Sequence, residues 1–187
     1  MIKRRTLVLM LLLLSGGARA DDFAGQASVV DGDTLEIHGR RIRLWGVDAP
    51  ESSQLCRGED SSQYRCGAQA ANNLDAFITG RPVNCLPASF DPYGRTIAIC
   101  SAGGTDLGEW LVRKGLALDW PQYSKGRYGS TQRDAEHAGR GMWKGSYVEP
   151  SLYRACIRAS GSSPTVRTTQ MPILDELQCG AFNPQRR

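Results

Sequence analysis

Apolar and polar residues alternate from Gln26 to Val47. Val29 and Val30 lead into Asp31-Gly32, Leu35 and Ile37 stand among polar neighbours, Gly39 turns the chain, and Ile42, Leu44 and Val47 resume the pattern. A period of two broken by turn pairs predicts three short antiparallel strands. Two further strands are predicted at Val83 to Leu86 and Arg95 to Cys100, joined through Asp91-Pro92-Tyr93-Gly94, whose Pro and Gly suit a tight connection. Five short strands favour a small closed barrel, because closure leaves no unpaired edge.

The period then changes to that of a helix. Ala71, Leu74, Phe77 and Ile78 recur at helical spacing, with Asn72, Asn73 and Asp75 on the other side and Gly80 as a stop. A second helix is predicted from Asp106, a suitable N-cap, through Leu107, Trp110, Leu111 and Leu116, with Gly115 near its end. A third, short and polar, is predicted from Ser130 to Ala138. Trp110 and Trp143 are expected to pack in the core. The predicted architecture is thus mainly β with α: a five-stranded barrel with about three helices.

The two ends of the chain follow other rules. Residues 1–20 have the form of an export signal: Lys3, Arg4 and Arg5, an apolar run from Leu7 to Leu14 too short to span a bilayer, and Ala18-Arg19-Ala20 as a small-x-small cleavage site. No membrane anchor is expected once it is removed. Residues 21–155 form the expected domain, and residues 156–187 a polar linker and C-terminal appendage, since Ala159 to Thr169 is rich in Ser, Thr and Gly.

Recognising the signal changes the meaning of the charge. The chain has 23 basic and 19 acidic residues, and losing Lys3, Arg4, Arg5 and Arg19 with the signal leaves 19 of each. A polyanion must then be held by local clusters, such as Arg40, Arg41 and Arg43, or Lys125 and Arg127, and not by an overall field. The six cysteines read as disulfides in an oxidising compartment. There is no C-x-x-C pair, and His38 and His137 stand apart, which argues against zinc. Six cysteines allow fifteen pairings. Pairing of neighbours would join Cys56 with Cys66, Cys85 with Cys100, and Cys156 with Cys179.

The candidate chemistry lies in a few ionic residues. Asp33, Arg43, Asp48 and Glu51 fall within ASVVDGDTLEIHGRRIRLWGVDAPE, and Arg95 ends DPYGR. Acids able to hold a hard cation, an acid left to act as a base and two arginines able to fork onto phosphate oxygens suit phosphodiester cleavage.

Four segments in order, VVDGDTLEI, IRLWGVDAPE, DPYGRTIAI and GTDLGEWLVRKGLA, resemble the thermonuclease (staphylococcal nuclease-like) family from about Ala27 to about Arg154. The resemblance implies an oligonucleotide-binding (OB) barrel and Ca²⁺-dependent hydrolysis of DNA and RNA by water, with little sequence preference and 3′-phosphate ends. It assigns Asp33, Asp48 and the main-chain carbonyl of Ala49 to the metal, with Asp31 behind them or shaping the turn. Glu51 would activate the water, and Arg43 and Arg95 would grip the scissile phosphate. Tyr93, and Tyr123 in place of another family tyrosine, would contact substrate. Here the loop from Ser52 to Gly67 carries two cysteines where the best-known member has lysines.

The expectation is an exported enzyme, periplasmic or extracellular, and monomeric. A barrel that binds single-stranded nucleic acid with negligible turnover, or a secreted structural or interaction domain, would be the alternatives.

Overall fold

The computed structural model describes residues 23–161 and 163–164. The export segment, most of the appendage and Cys179 lie outside the described residues.

One sheet holds β1 (Ala24–Gly25), β2 (Ala27–Asp31), β3 (Thr34–Ile37), β4 (Arg40–Leu44), β8 (Val83–Phe90), β9 (Thr96–Ala102) and β10 (Thr105–Asp106). Two small pairs complete the strands: β5 (Val47–Asp48) with β11 (Leu118–Asp119), and β6 (Cys56–Arg57) with β7 (Gln63–Tyr64). The hydrogen-bonded order of the sheet is β1-β8-β9-β4-β3-β2, with β10 on β9. Its two end strands are consecutive in the chain, separated by Gln26: one half of a bent first strand pairs with β8 and the other with β3. That bend lets a sheet with two formal edges wrap around one core as an OB barrel does. The other mark of the fold is the parallel pairing of β4 with β9, in which Arg43 lies beside Ile97. The five longest strands are the five predicted, although β8 runs on to Phe90. Pro87 is accommodated because the register shifts between Pro87 and Ser89.

Alternation decides what faces inward. Leu35, Ile37, Ile42, Leu44, Val83, Cys85, Ala98, Cys100 and Ala102 are buried from the strands. Helix α1 (Cys66–Ile78) closes one side with Cys66, Ala70, Leu74 and Ile78, a stripe of period four. It begins ahead of the predicted run because its first turn is held by the Cys56–Cys66 disulfide. Gly67 is needed there, since a Cβ would lie 1.7 Å from the Glu51 carbonyl oxygen. The first turn of α1 therefore sits directly on the loop that carries Glu51.

Helix α2 (Leu107–Arg113) starts as predicted, with the Asp106 carboxylate accepting the Glu109 N–H at 3.1 Å. It stops before Leu116 because the chain turns left-handed at Gly115, φ +67°. After a short α3 (Pro121–Ser124), α4 (Gly129–His137) matches the predicted third helix. Trp110 stacks on Phe77, and Trp143 meets Tyr147 edge-on. A 3₁₀ turn (Gly141–Lys144) leads to α5 (Pro150–Ser160), which the sequence reading did not foresee and which runs through residue 155. Pro150 opens α5, and Gly161, φ +66°, ends it. Cys85 pairs with Cys100 across the β8–β9 ladder, as expected. Cys156 is disulfide-bonded too, but its expected pairing with Cys179 lies outside the described residues.

Candidate active site

Asp33 occupies the turn between β2 and β3. Its backbone N–H donates to Asp31 Oδ1 at 3.0 Å, so Asp31 shapes this turn. Gly32 serves close approach: a Cβ there would meet the Ala49 Cβ at 2.7 Å and the Ala70 Cβ at 3.1 Å. This packing draws the turn onto the loop after β5, and the Ala49 N–H donates to Asp33 Oδ2 at 3.2 Å. Asp33 and Asp48, fifteen residues apart, thus become neighbours.

Arg43 links them. Thr34 pairs with Arg43 across β3 and β4, while Ile42 and Leu44 point into the core and leave the Arg43 side chain on the opposite face. Its Nη2 lies 2.8 Å from Asp33 Oδ2 and 3.2 Å from Asp48 Oδ1. Both acids are buried, at 4% and 5% exposure. Burial pushes the Asp33 carboxyl up to about 7; Arg43 opposes that rise, Asp31 and Asp48 add to it, and the Ala49 hydrogen bond lowers it. Even with Arg43 present, burial prevails and the charged form of Asp33 is disfavoured.

A residue to which the sequence reading gave no role completes the network. From α5, Arg154 Nη1 donates to Asp48 Oδ1 and to Glu51 Oε1, each at 2.9 Å, and Nη2 donates to Asp48 Oδ2 at 3.1 Å. Burial alone would weaken the Arg154 charge, but the hydrogen bonds and charges of Asp48 and Glu51 hold its proton more tightly than usual. The ionic chain runs Asp33, Arg43, Asp48, Arg154, Glu51.

Two uncharged residues hold this chain in place. Trp120 follows β11, whose pairing sets Leu118 opposite Asp48, and the Trp120 N–H donates to the Gly46 carbonyl at 2.9 Å. The Arg43 and Arg154 guanidinium carbons lie 5.6 Å and 5.7 Å from its ring centroid. Gln54, fully buried, accepts the Glu51 N–H at 3.2 Å and donates to the Val148 carbonyl at 2.6 Å. The Glu51 loop is thereby tied to the segment that enters α5.

The remaining predicted residues lie further out. Arg95 immediately precedes β9 and shares the parity of Ile97, the strand partner of Arg43, so both arginines belong to one face of adjacent strands. About 7 Å of strand separates their positions. The Arg95 Nε is bonded to Asp91 Oδ2 at 2.6 Å, and its guanidinium lies 5.9 Å from the ring of the exposed Tyr93. Tyr123 is half-exposed and meets Trp120 edge-on at 4.5 Å, which sets it at the rim of the acid and arginine cluster. Arg154, Trp120 and Gln54 escaped the sequence reading because no local motif marks them; the amphipathic run after Pro150 was the one signal available.

Residues 41–145 match the family described as staphylococcal nuclease homologue. The chain is 44% identical over 136 residues to the succinoglycan biosynthesis protein ExoI of Rhizobium meliloti, covering 72% of this chain and 71% of that protein. It is 28% identical over 165 residues to an uncharacterized endonuclease of Haemophilus influenzae, covering 82% and 87% respectively. Over 150 residues it is 26% identical to the micrococcal nuclease of Shigella flexneri, covering 72% and 80%.

Proposed function

The chain belongs to the staphylococcal nuclease family, and on that premise we propose that it is an exported, Ca²⁺-dependent nuclease that hydrolyses DNA and RNA with low sequence specificity and leaves 3′-phosphate ends. The observation that carries this reading is the convergence of Asp33, Arg43, Asp48 and, through Arg154, Glu51 in one largely buried ionic cluster, with Arg95 just before the neighbouring strand β9.

The donor set fits a hard divalent cation. One cationic nitrogen, Arg43 Nη2, already touches both Asp33 and Asp48, so a single positive centre can be shared by the two carboxylates. Asp33, raised to about 7 by burial first of all, is a carboxyl whose charged form such an ion favours. No group of three or more His, Cys, Asp or Glu side chains among the described residues is arranged for a metal. Asp33 and Asp48 would thus be joined by the Ala49 carbonyl and by water, as Ca²⁺ tolerates. When bound, the ion supplies charge that stabilises the more negative phosphoryl group formed during attack.

The protein's own groups do the rest. Glu51 orients the attacking water and takes its proton as the new P–O bond forms, while the bond to the 5′-oxygen breaks and that oxygen leaves as an alcohol after taking a proton from solvent water. Arg43 and Arg95 present forked N–H donors to the phosphate oxygens. They favour the more highly charged transition state because they are fixed before the reaction begins. Arg43 uses Nη2 for its acids and retains further donors for substrate. Tyr93, beside Arg95, and Tyr123, beside Trp120, are both exposed and suited to stacking on bases without reading sequence. Export is supported by the form of residues 1–20 and by two described disulfides.

Digestion of plasmid DNA and of single-stranded RNA with Ca²⁺ and with chelator tests the reading, with end-group analysis of the products. Ca²⁺-dependent cleavage that leaves 3′-phosphates is expected. Salt-sensitive binding with no cleavage in Ca²⁺ would instead identify a nucleic-acid-binding barrel.

A further inference from the structure

We infer that Arg154, carried into the centre by α5, is a positioning residue of the active site, holding the Glu51 carboxylate in fixed relation to Asp48. Arg154, like Asp33, lies outside residues 41–145, the stretch matched to the family description. It rests on the reading of Glu51 as the group that activates water.

Four features separate this contact from an ordinary surface ion pair. The Arg154 fork is bidentate on Asp48, a buried carboxylate, and the nitrogen nearest Glu51 is shared by both acids. Its side chain is 24% exposed and that of Asp48 only 6%, so water screens the contact weakly. The guanidinium is steadied by Trp120, whose indole also meets Arg43 and so fixes the spacing of the two arginines. The helix that carries it is docked independently. Tyr153, buried next to Arg154, shares a hydrogen bond with Ser53 at 3.1 Å, and Gln54 joins the Glu51 backbone to Val148.

Glu51 needs such a holder. It follows Pro50 in a loop, and its side chain is 37% exposed, so without a partner it would sample several rotamers. A base must stand within hydrogen-bond reach of the water it activates, and a displacement of about 1 Å can cost on the order of 100-fold in rate. Arg154 holds one Glu51 oxygen, Oε1, and leaves the other for water. Lysine cannot substitute fully, because a point charge cannot span Asp48 and Glu51 as a planar fork does.

The experiment compares the full mature chain with Arg154→Ala and Arg154→Lys on an oligonucleotide substrate in Ca²⁺. For Arg154→Ala, kcat should fall on the order of 100-fold while KM changes much less, free guanidinium should restore part of the rate, and Lys should recover only a minor part. On a Glu51→Gln background the same substitution should lose little more. An Arg154→Ala chain that turns over like the parent, or whose loss lies wholly in KM, would overturn the role while leaving the nuclease reading intact. Should the parent chain not cleave, the nuclease reading fails, and thermal melts decide the contact: Arg154→Ala and Asp48→Asn are expected to be non-additive, and additive shifts would refute it.

Discussion

The acid and arginine centre and the Asp91–Arg95 hairpin tip both carry residues of the motif set, yet they are held in opposite ways. At the tip every contact is local: Asp91 Oδ1 accepts the Tyr93 and Arg95 N–H groups at 2.9 and 2.8 Å, and its Oδ2 binds Arg95 Nε. At the centre the partners of Asp48 come from β4 and from α5, the latter 106 residues away. Local closure yields a unit that keeps its shape on the surface. Distant closure makes the geometry of the candidate site and overall stability depend on the same contacts. Substitutions at the two places should therefore fail differently.

The largest effect is expected from Asp48→Ala, which removes the carboxylate that Arg43 and Arg154 share in a partly buried site: a loss of about 3 kcal/mol in denaturant stability and no measurable cleavage. Stability equal to the parent would break the contrast. Glu51→Gln comes next, with a rate loss of about 10²–10⁴-fold in a chain that melts close to the parent, because Glu51 is much less buried than Asp48. Arg95→Ala should lose about 10²-fold in kcat and less than about 1 kcal/mol in stability, since its partner Asp91 lies on the same turn. A large stability loss there would show that the tip is not self-contained.

The last expected effect concerns pH. Burial, the leading cause, raises Asp33 to about 7 in the fold, above the unfolded value of about 3.9. The folded chain then binds the more protons between these limits. Its stability contribution from Asp33 is complete below the unfolded value and is lost as pH rises through about 7. In chelator, Asp33→Asn should remove this loss from the pH profile of stability, measured by melting. In the parent, Ca²⁺ affinity should rise with pH until Asp33 is ionised. A variant with an unchanged profile would contradict the pocket electrostatics.

Legibility in the sequence follows the same division. The strands, the Asp106 cap and the Asp91–Arg95 turn could be read because alternation, capping and turn chemistry are short-range. The DGD turn was legible as a turn, but the need for Gly32 lies in the close approach of Ala49, which no local pattern reveals. The Cys56–Cys66 and Cys85–Cys100 pairs followed from neighbouring positions. Arg154, Trp120 and Gln54 were not legible, because each acts through partners brought together only by the closed fold. The start of α1 was obscured for a related reason: its first turn is anchored by a disulfide and by the Glu51 loop, while the apolar period becomes clear only later.

The most direct measurement is the initial rate at which the purified mature chain cleaves a single-stranded oligonucleotide in Ca²⁺, taken beside the same chain in chelator and beside Glu51→Gln in Ca²⁺. Rapid cleavage is expected in the first case, with a fall of at least about 100-fold in each of the others. Equal rates in all three would mean that the acids gathered around Arg43 and Arg154 do not perform the reaction.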